Sequence, residues 1–358
     1  MIPQDWRVLA TAPPRPPGAV PRLRARLRSS PEDFQVDEIC GFVPAARGEH
    51  FLLRVRKREA NTAWVARELA RRARVRPFDV GFAGMKDRHA VTTQWFSVPG
   101  RGLTLADWAG HAGEGYQVLE AYAHTRKLPR GALAGNRFRI VLRGVDARDE
   151  PTRAAIATAV AQLGVRGVPN YFGPQRFGRE LGNLAALLAP GPAAAPRESG
   201  FVLSAARSLV FNAVLAERVR RGDWNRLLDG ELANLDGSNS VFAVDAADAQ
   251  LATRLQQLDI HPSGPLWGAG GPRPAGEIAA LEQRIAAGLP AALAAIERAR
   301  VEGARRALRL AVRDLEFRWL AEPDACMLCF TLRSGAFATT VLGELFDTGE
   351  DPGEADDA

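Results

Sequence analysis

From Arg22 to Arg28, arginines alternate with leucine or alanine. This is the two-residue rhythm of a half-buried strand, and it stops at the turn residues Ser29, Ser30 and Pro31. The stretches from His50 to Val55 and from Gln117 to Tyr122 also read as strands. Between them Val65 and Leu69 lie four apart and Asn61 is a suitable N-cap, which predicts a helix running through Ala73. Short strands are expected around Val80 to Ala83 and Thr92 to Val98, so the loop Gly84-Met85-Lys86-Asp87-Arg88-His89-Ala90 forms a tight connection between ordered elements. From Asn136 to Leu142, Phe138, Ile140 and Leu142 share one strand face, and Arg137, Arg139 and Arg143 share the other.

Beyond a helix expected from Thr152 to Leu163 and ended by Gly164, the pattern changes to alanine-rich helices between loops heavy in glycine and proline. Ser204 to Arg221 is an amphipathic helix through Val210 and Val214, and Ala275 to Gly303 is helical with a break at Pro290. The strand rhythm returns from Arg309 to Trp319 and from Ala325 to Leu332, and a last helix is expected with its cap near Ser334. Strands at both ends of the chain then belong to one sheet, with the middle inserted into it. The expected division is residues 1–161 and 305–346 as one discontinuous domain, 162–304 as an inserted domain, and 347–358 as a disordered tail. The length of 358 residues agrees with two domains.

Composition narrows the function classes. With 46% hydrophobic and 25% charged residues the chain reads as a soluble globular protein, and no apolar run is expected to span a bilayer. The proline-rich stretch before Val20 lacks the apolar core of a signal peptide, and the three cysteines (40, 326 and 329) are too few for a disulfide framework. Both features point to a cytoplasmic protein. The formal charge of +6 includes six acids and no base in the last twelve residues, so the remaining body carries +12 and is suited to a polyanionic partner. Of the 47 Lys and Arg residues only Lys57, Lys86 and Lys127 are lysine, so a retained lysine invites a chemical reason.

Judged by chemistry alone, Lys86-Asp87 is either a carboxylate kept ionised for nucleophilic work or a solvated surface pair, and the second reading is the commoner for such a dipeptide. Asn170 to Gly178 combines Tyr171, Phe172 and Phe177 with Arg176 and glycines. It can be a base-stacking, phosphate-gripping segment or a hinge whose rings merely pack. Cys326 and Cys329 are three apart in a predicted strand, which points their sulfurs to opposite faces as core residues, and the five histidines show no metal-ligand spacing. Gly268-Ala-Gly-Gly-Pro-Arg lacks the Lys-Ser/Thr of a phosphate loop, and Pro272 removes an amide donor.

Six segments together resemble the TruD family of pseudouridine synthases, over roughly Leu23 to Phe346. They are Ser30-Pro-Glu-Asp-Phe-Gln-Val-Asp-Glu38, Ala83-Gly-Met-Lys-Asp-Arg-His-Ala-Val-Thr-Thr-Gln94, Lys127-Leu-Pro-Arg-Gly-Ala-Leu-Ala-Gly-Asn-Arg-Phe138, Val168-Pro-Asn-Tyr-Phe-Gly-Pro-Gln-Arg-Phe-Gly178, Leu235-Asp-Gly-Ser-Asn-Ser-Val-Phe242 and Ser334-Gly-Ala-Phe-Ala-Thr-Thr-Val341. The resemblance implies an α+β fold: a pseudouridine-synthase-type catalytic domain with a mixed, largely antiparallel sheet flanked by helices, plus an inserted α/β TRUD domain. It implies isomerisation of uridine to pseudouridine in tRNA, at position 13, with no cofactor and no metal.

By the same resemblance Asp87 is the nucleophile, and Arg28, where the family usually has lysine, is its charge partner. Asn136 and Phe138 contact and stack on the target uracil, Phe337 is a second aromatic near the site, and Lys86 adjoins the nucleophile on the substrate-binding side. The expected partner is tRNA, met by a monomer without membrane or obligate protein partner. The alternatives are a noncatalytic tRNA-binding or folding protein on the same scaffold and a synthase acting on another RNA. A DNA-binding regulator is a poor third, since neither a helix-turn-helix nor a zinc spacing is evident.

Overall fold

The computed structural model describes residues 2–45, 47–189, 196–244, 248–322 and 324–349, with the side chains of 196–199 excepted. The chain forms two compact units. One comprises Met1–Pro21, Ala161–Ala311 and Thr339–Glu344, and the other Arg22–Val160, Val312–Ala338 and the residues from Leu345.

The second unit is built on a nine-stranded sheet. Its order is Arg313–Trp319, Ala325–Arg333, Leu133–Arg143, Phe34–Cys40, Val91–Pro99, His50–Arg58, Tyr116–His124 and Ala112–Gly113, with Gly81–Phe82 added beside Val91–Pro99. Phe34–Cys40 runs parallel to Val91–Pro99, and the other described pairs are antiparallel. Strands from the two ends of the sequence thus lie in one sheet, as the returning strand rhythm predicts. The helix Thr62–Ala73 starts where expected, because the Asn61 side chain accepts the Ala63 N–H at 2.8 Å. It buries Val65, Ala66, Leu69 and Ala70 against Leu53, Val55, Phe96 and Val98 on one face of the sheet.

Several boundaries differ from those expected. The first extended run shortens to Leu23–Arg24 with an isolated bridge from Arg26 to Arg143, because Arg28 adopts a left-handed conformation (φ 56°) that ends it. The helix Glu150–Arg166 runs through Gly164; the glycine that stops it is Gly167, at φ 71°, whose N–H closes on Leu163 O at 2.9 Å. The stretch from Arg309 to Trp319 is two strands, Arg309–Leu310 and Arg313–Trp319. The first pairs with Val168–Pro169 and the second with Ala325–Arg333, with an irregularity at Asp314. Ser334 lies in a turn, and the following helix is Ala338–Leu342. Asp347, expected to open the tail, pairs instead with Arg24 in a short parallel ladder; residues 350–358 of that tail lie outside the described residues.

The first unit packs a four-stranded antiparallel sheet (Val241–Ala243, Leu232–Leu235, Ile260–Leu266, Ala304–Ala307) with the helices Pro196–Arg221, Gly276–Ala287 and Pro290–Ala299. The segment Gly200–Arg221 is in fact long and apolar enough to cross a bilayer, contrary to expectation. Here it is a core helix, with Ala205, Leu209, Val210, Phe211 and Leu215 fully buried. Residues 1–21, expected with the other domain, group here because Trp6, Leu9 and Ala10 are buried in this core. Tyr171, Phe172 and Phe177 join the same core, so those rings pack and are not free to stack bases. Cys326 and Cys329 are buried as expected, and burial pushes the Cys326 thiol up to about 12.

Candidate active site

The face of the sheet under the helix Thr62–Ala73 changes from apolar to polar along each strand. Leu53 and Val55 give way to Lys57 on one strand, and Phe96 gives way to Gln94 and Thr92 on the next. Residues paired across a ladder point to the same face. The pairs Lys57 with Thr92, Thr92 with Val36, Glu38 with Asn136, Asn136 with Leu332, Val36 with Phe138 and Phe138 with Phe330 therefore set all these side chains on one surface. Phe34–Cys40 is the shared neighbour, flanked by the strand that follows the Gly84 to Ala90 loop and by the strand that carries Asn136 and Phe138.

The loop owes its shape to buried polar groups that meet its backbone. Lys86 N–H donates to Thr62 Oγ1 at 3.0 Å, Thr62 donates to Gln94 Oε1 at 2.9 Å, and Gln94 Nε2 donates to Gly84 O at 3.3 Å. Lys57 Nζ donates to Lys86 O at 3.2 Å and to Asp87 O at 2.6 Å. Gly131 N–H donates to Ala83 O at 2.7 Å, which brings the Lys127 to Phe138 segment against the start of the loop.

Asp87 projects from this frame with 39% of its side chain exposed, and Arg28 Nη2 lies 3.2 Å from its Oδ1. The Arg28 side chain is 5% exposed, with its guanidinium 4.2 Å from the centroid of the Phe34 ring. A planar cation can stack on the ring and meet the carboxylate together, which suits arginine to this position. The expected pair is thus directly in contact.

Lys86 points away from solvent. Its Nζ is 3.0 Å from Glu38 Oε2, with side-chain exposures of 8% and 1%, so the substrate-side position expected for it is not where its ammonium lies. Burial pushes the Glu38 carboxyl up, and the Lys86 charge opposes that shift. Asn136 is half-buried, and its Oδ1 is a buried acceptor with no hydrogen-bond partner among the described residues. Phe138 is buried, stacked on Phe330 at 5.4 Å between centroids and edge-on to Phe34 at 6.3 Å. Phe337 lies beyond the turn at the end of Ala325–Arg333 and is 49% exposed.

Sequence reasoning gave no role to Lys57, Thr62, Gln94 or Glu38. The rarity of lysine was the one signal that could have marked Lys57. Glu38 and Gln94 stood inside family-like segments without anything to say which backbone or side chain they serve.

The chain is similar to known proteins over most of its length. A family model described as tRNA pseudouridine synthase D (TruD) matches residues 19–186 and 198–345. The tRNA pseudouridine synthase D of Methylococcus capsulatus is 48% identical over 338 residues, covering 93% of this chain and 94% of that protein. The Xanthomonas axonopodis pv. citri protein of the same name is 46% identical, covering 94% and 95%. The crystal structure of a putative tRNA pseudouridine synthase D from Methanosarcina mazei superposes with a TM-score of 0.76 at 23% identity, covering 96% of this chain and 98% of that one, and so shares the fold.

Proposed function

Because the chain belongs to the tRNA pseudouridine synthase D (TruD) family, we propose that it converts uridine 13 of tRNA to pseudouridine with Asp87 as nucleophile and Arg28 as its charge partner. The enzyme class, an isomerase acting on tRNA uridine, follows from the family. The position of the uridine and the residue roles are our reading, as is action by a monomer in the cytoplasm. The unit carrying Asp87 is the catalytic domain on this reading, and the unit containing Ala161–Ala311 is the inserted one.

The observation that carries the assignment is the Arg28 to Asp87 contact on a loop whose backbone is fixed by buried groups. The reaction breaks the bond between ribose C1′ and uracil N1 and forms one between C1′ and C5; N1 gains a proton and C5 loses one. Asp87 attacks C1′ as the uracil leaves, Arg28 holds the carboxylate aimed through their 3.2 Å contact, and the carboxylate departs when C5 takes its place. The target nucleotide must be extruded from its stack before this chemistry. Asn136 is half-buried and its Oδ1 has no hydrogen-bond partner among the described residues; once the side chain turns toward the bound base, that oxygen accepts the uracil N3–H and holds the detached ring while it rotates. Phe138, backed by Phe330, supplies an apolar floor, and exposed Phe337 supplies a ring at the rim.

The test is to treat a tRNA transcript bearing uridine at position 13 and map the pseudouridine in the product. Modification at position 13 is the expected result, and modification confined to another position or another RNA would reject the proposed substrate. Within this account Arg28→Lys keeps the rate within about tenfold, because charge and reach survive, whereas Arg28→Gln loses about 100-fold by releasing the carboxylate. Single-turnover kinetics of the two variants check this, and equal rates would contradict the pairing role.

A further inference from the structure

We propose that Lys57 is a positioning residue that sets the direction of the Asp87 side chain by holding the backbone on both sides of it. The inference rests on the reading of Asp87 as nucleophile. Lys57 comes from the adjacent strand His50–Arg58, is 1% exposed, and places its Nζ 3.2 Å from Lys86 O and 2.6 Å from Asp87 O. The Lys86 carbonyl belongs to the planar peptide that enters the Asp87 Cα, and the Asp87 carbonyl to the one that leaves it. Anchoring both planes at one ammonium restrains the rotations about that Cα, and the direction of Cβ follows from them. Arg28 then acts on the carboxylate from the side-chain end, and Lys57 from the backbone end.

The chemistry accounts for the residue type. A compact ammonium directs several donors at converging carbonyls within an enclosed space, whereas a guanidinium is planar and larger. In a chain whose basic residues are nearly all arginine, both Lys57 and Lys86 are buried behind this one loop. A misplacement of the nucleophile by about 1 Å can cost about 100-fold in rate, so a backbone anchor is a control on catalysis as well as on stability.

The test compares wild type, Asp87→Asn, Lys57→Met and Lys57→Gln by thermal midpoint, tRNA affinity and single-turnover rate. Folded Lys57 variants are expected to bind tRNA within about threefold of wild type and to react about 100-fold more slowly, a split that a purely structural role does not produce. If Lys57→Met fails to fold, Lys57→Gln, which keeps a neutral donor, decides by the same criterion. A folded variant reacting within about twofold of wild type would overturn the inference, as would a rate loss matched by lost affinity or by unfolding at the assay temperature. An inactive wild type would refute the reading of Asp87 itself, whereas an active wild type with fully active Lys57 variants refutes the positioning role alone.

Discussion

Asp87→Asn is expected to lower the single-turnover rate of pseudouridine formation by at least about 10,000-fold while leaving tRNA affinity within about twofold. The amide preserves the shape of the side chain and replaces the anionic carboxylate nucleophile with a neutral, weakly nucleophilic carbonyl oxygen. The loop does not depend on that side chain for its form, because its backbone is held by Lys57, Thr62 and Gln94. Arg28 remains stacked on Phe34 and faces an amide oxygen in place of a carboxylate. Rapid-quench kinetics with chromatographic measurement of pseudouridine, paired with a binding titration, separate the two effects. Loss of affinity parallel to the loss of rate would show that Asp87 serves binding instead.

Lys86→Met carries the largest expected loss of stability, about 3–5 kcal/mol at neutral pH, because it strands the Glu38 carboxylate in the interior. Glu38 is 1% exposed in its side chain and its carboxyl is already pushed up by burial. Without the opposing lysine it is pushed further, and the folded variant then binds a proton that the unfolded chain, with an ordinary carboxyl, gives up. Where the folded state holds more protons, stability falls as pH rises, so the variant should recover stability on going from about pH 8 down to about pH 5. Urea denaturation of wild type and variant across that range measures it. A pH-independent difference would contradict the stranded-carboxylate account, and Lys86→Met paired with Glu38→Leu should restore much of the loss.

Legibility in the sequence followed the reach of each signal. The strands around His50, Gln117 and Asn136 and the helix capped by Asn61 rest on local periodicity and capping, and they appear with small boundary shifts. Arg28 and Asp87 were found through family-like segments and are in contact. Gly164 misled because a glycine within a helix resembles one that ends it, and only the left-handed backbone at Gly167 distinguishes the real stop. The rings of Tyr171, Phe172 and Phe177 could stack bases or fill a core on composition alone, and tertiary packing decided for the core. Lys86 was misjudged for the same reason: adjacency in sequence says nothing about which way a side chain turns, and its partner Glu38 is 48 positions away. The backbone anchors from Lys57, Thr62 and Gln94 depend on ladder register and helix placement, which no local pattern encodes.

The most direct measurement of the central claim is tritium release from tRNA labelled at uracil C5, because C5 gives up its hydrogen when it bonds to the ribose. Wild type should release one tritium per uridine converted, and Asp87→Asn should release none above background over the same time. Failure of wild type to release tritium from any tRNA, or undiminished release by Asp87→Asn, would contradict the account.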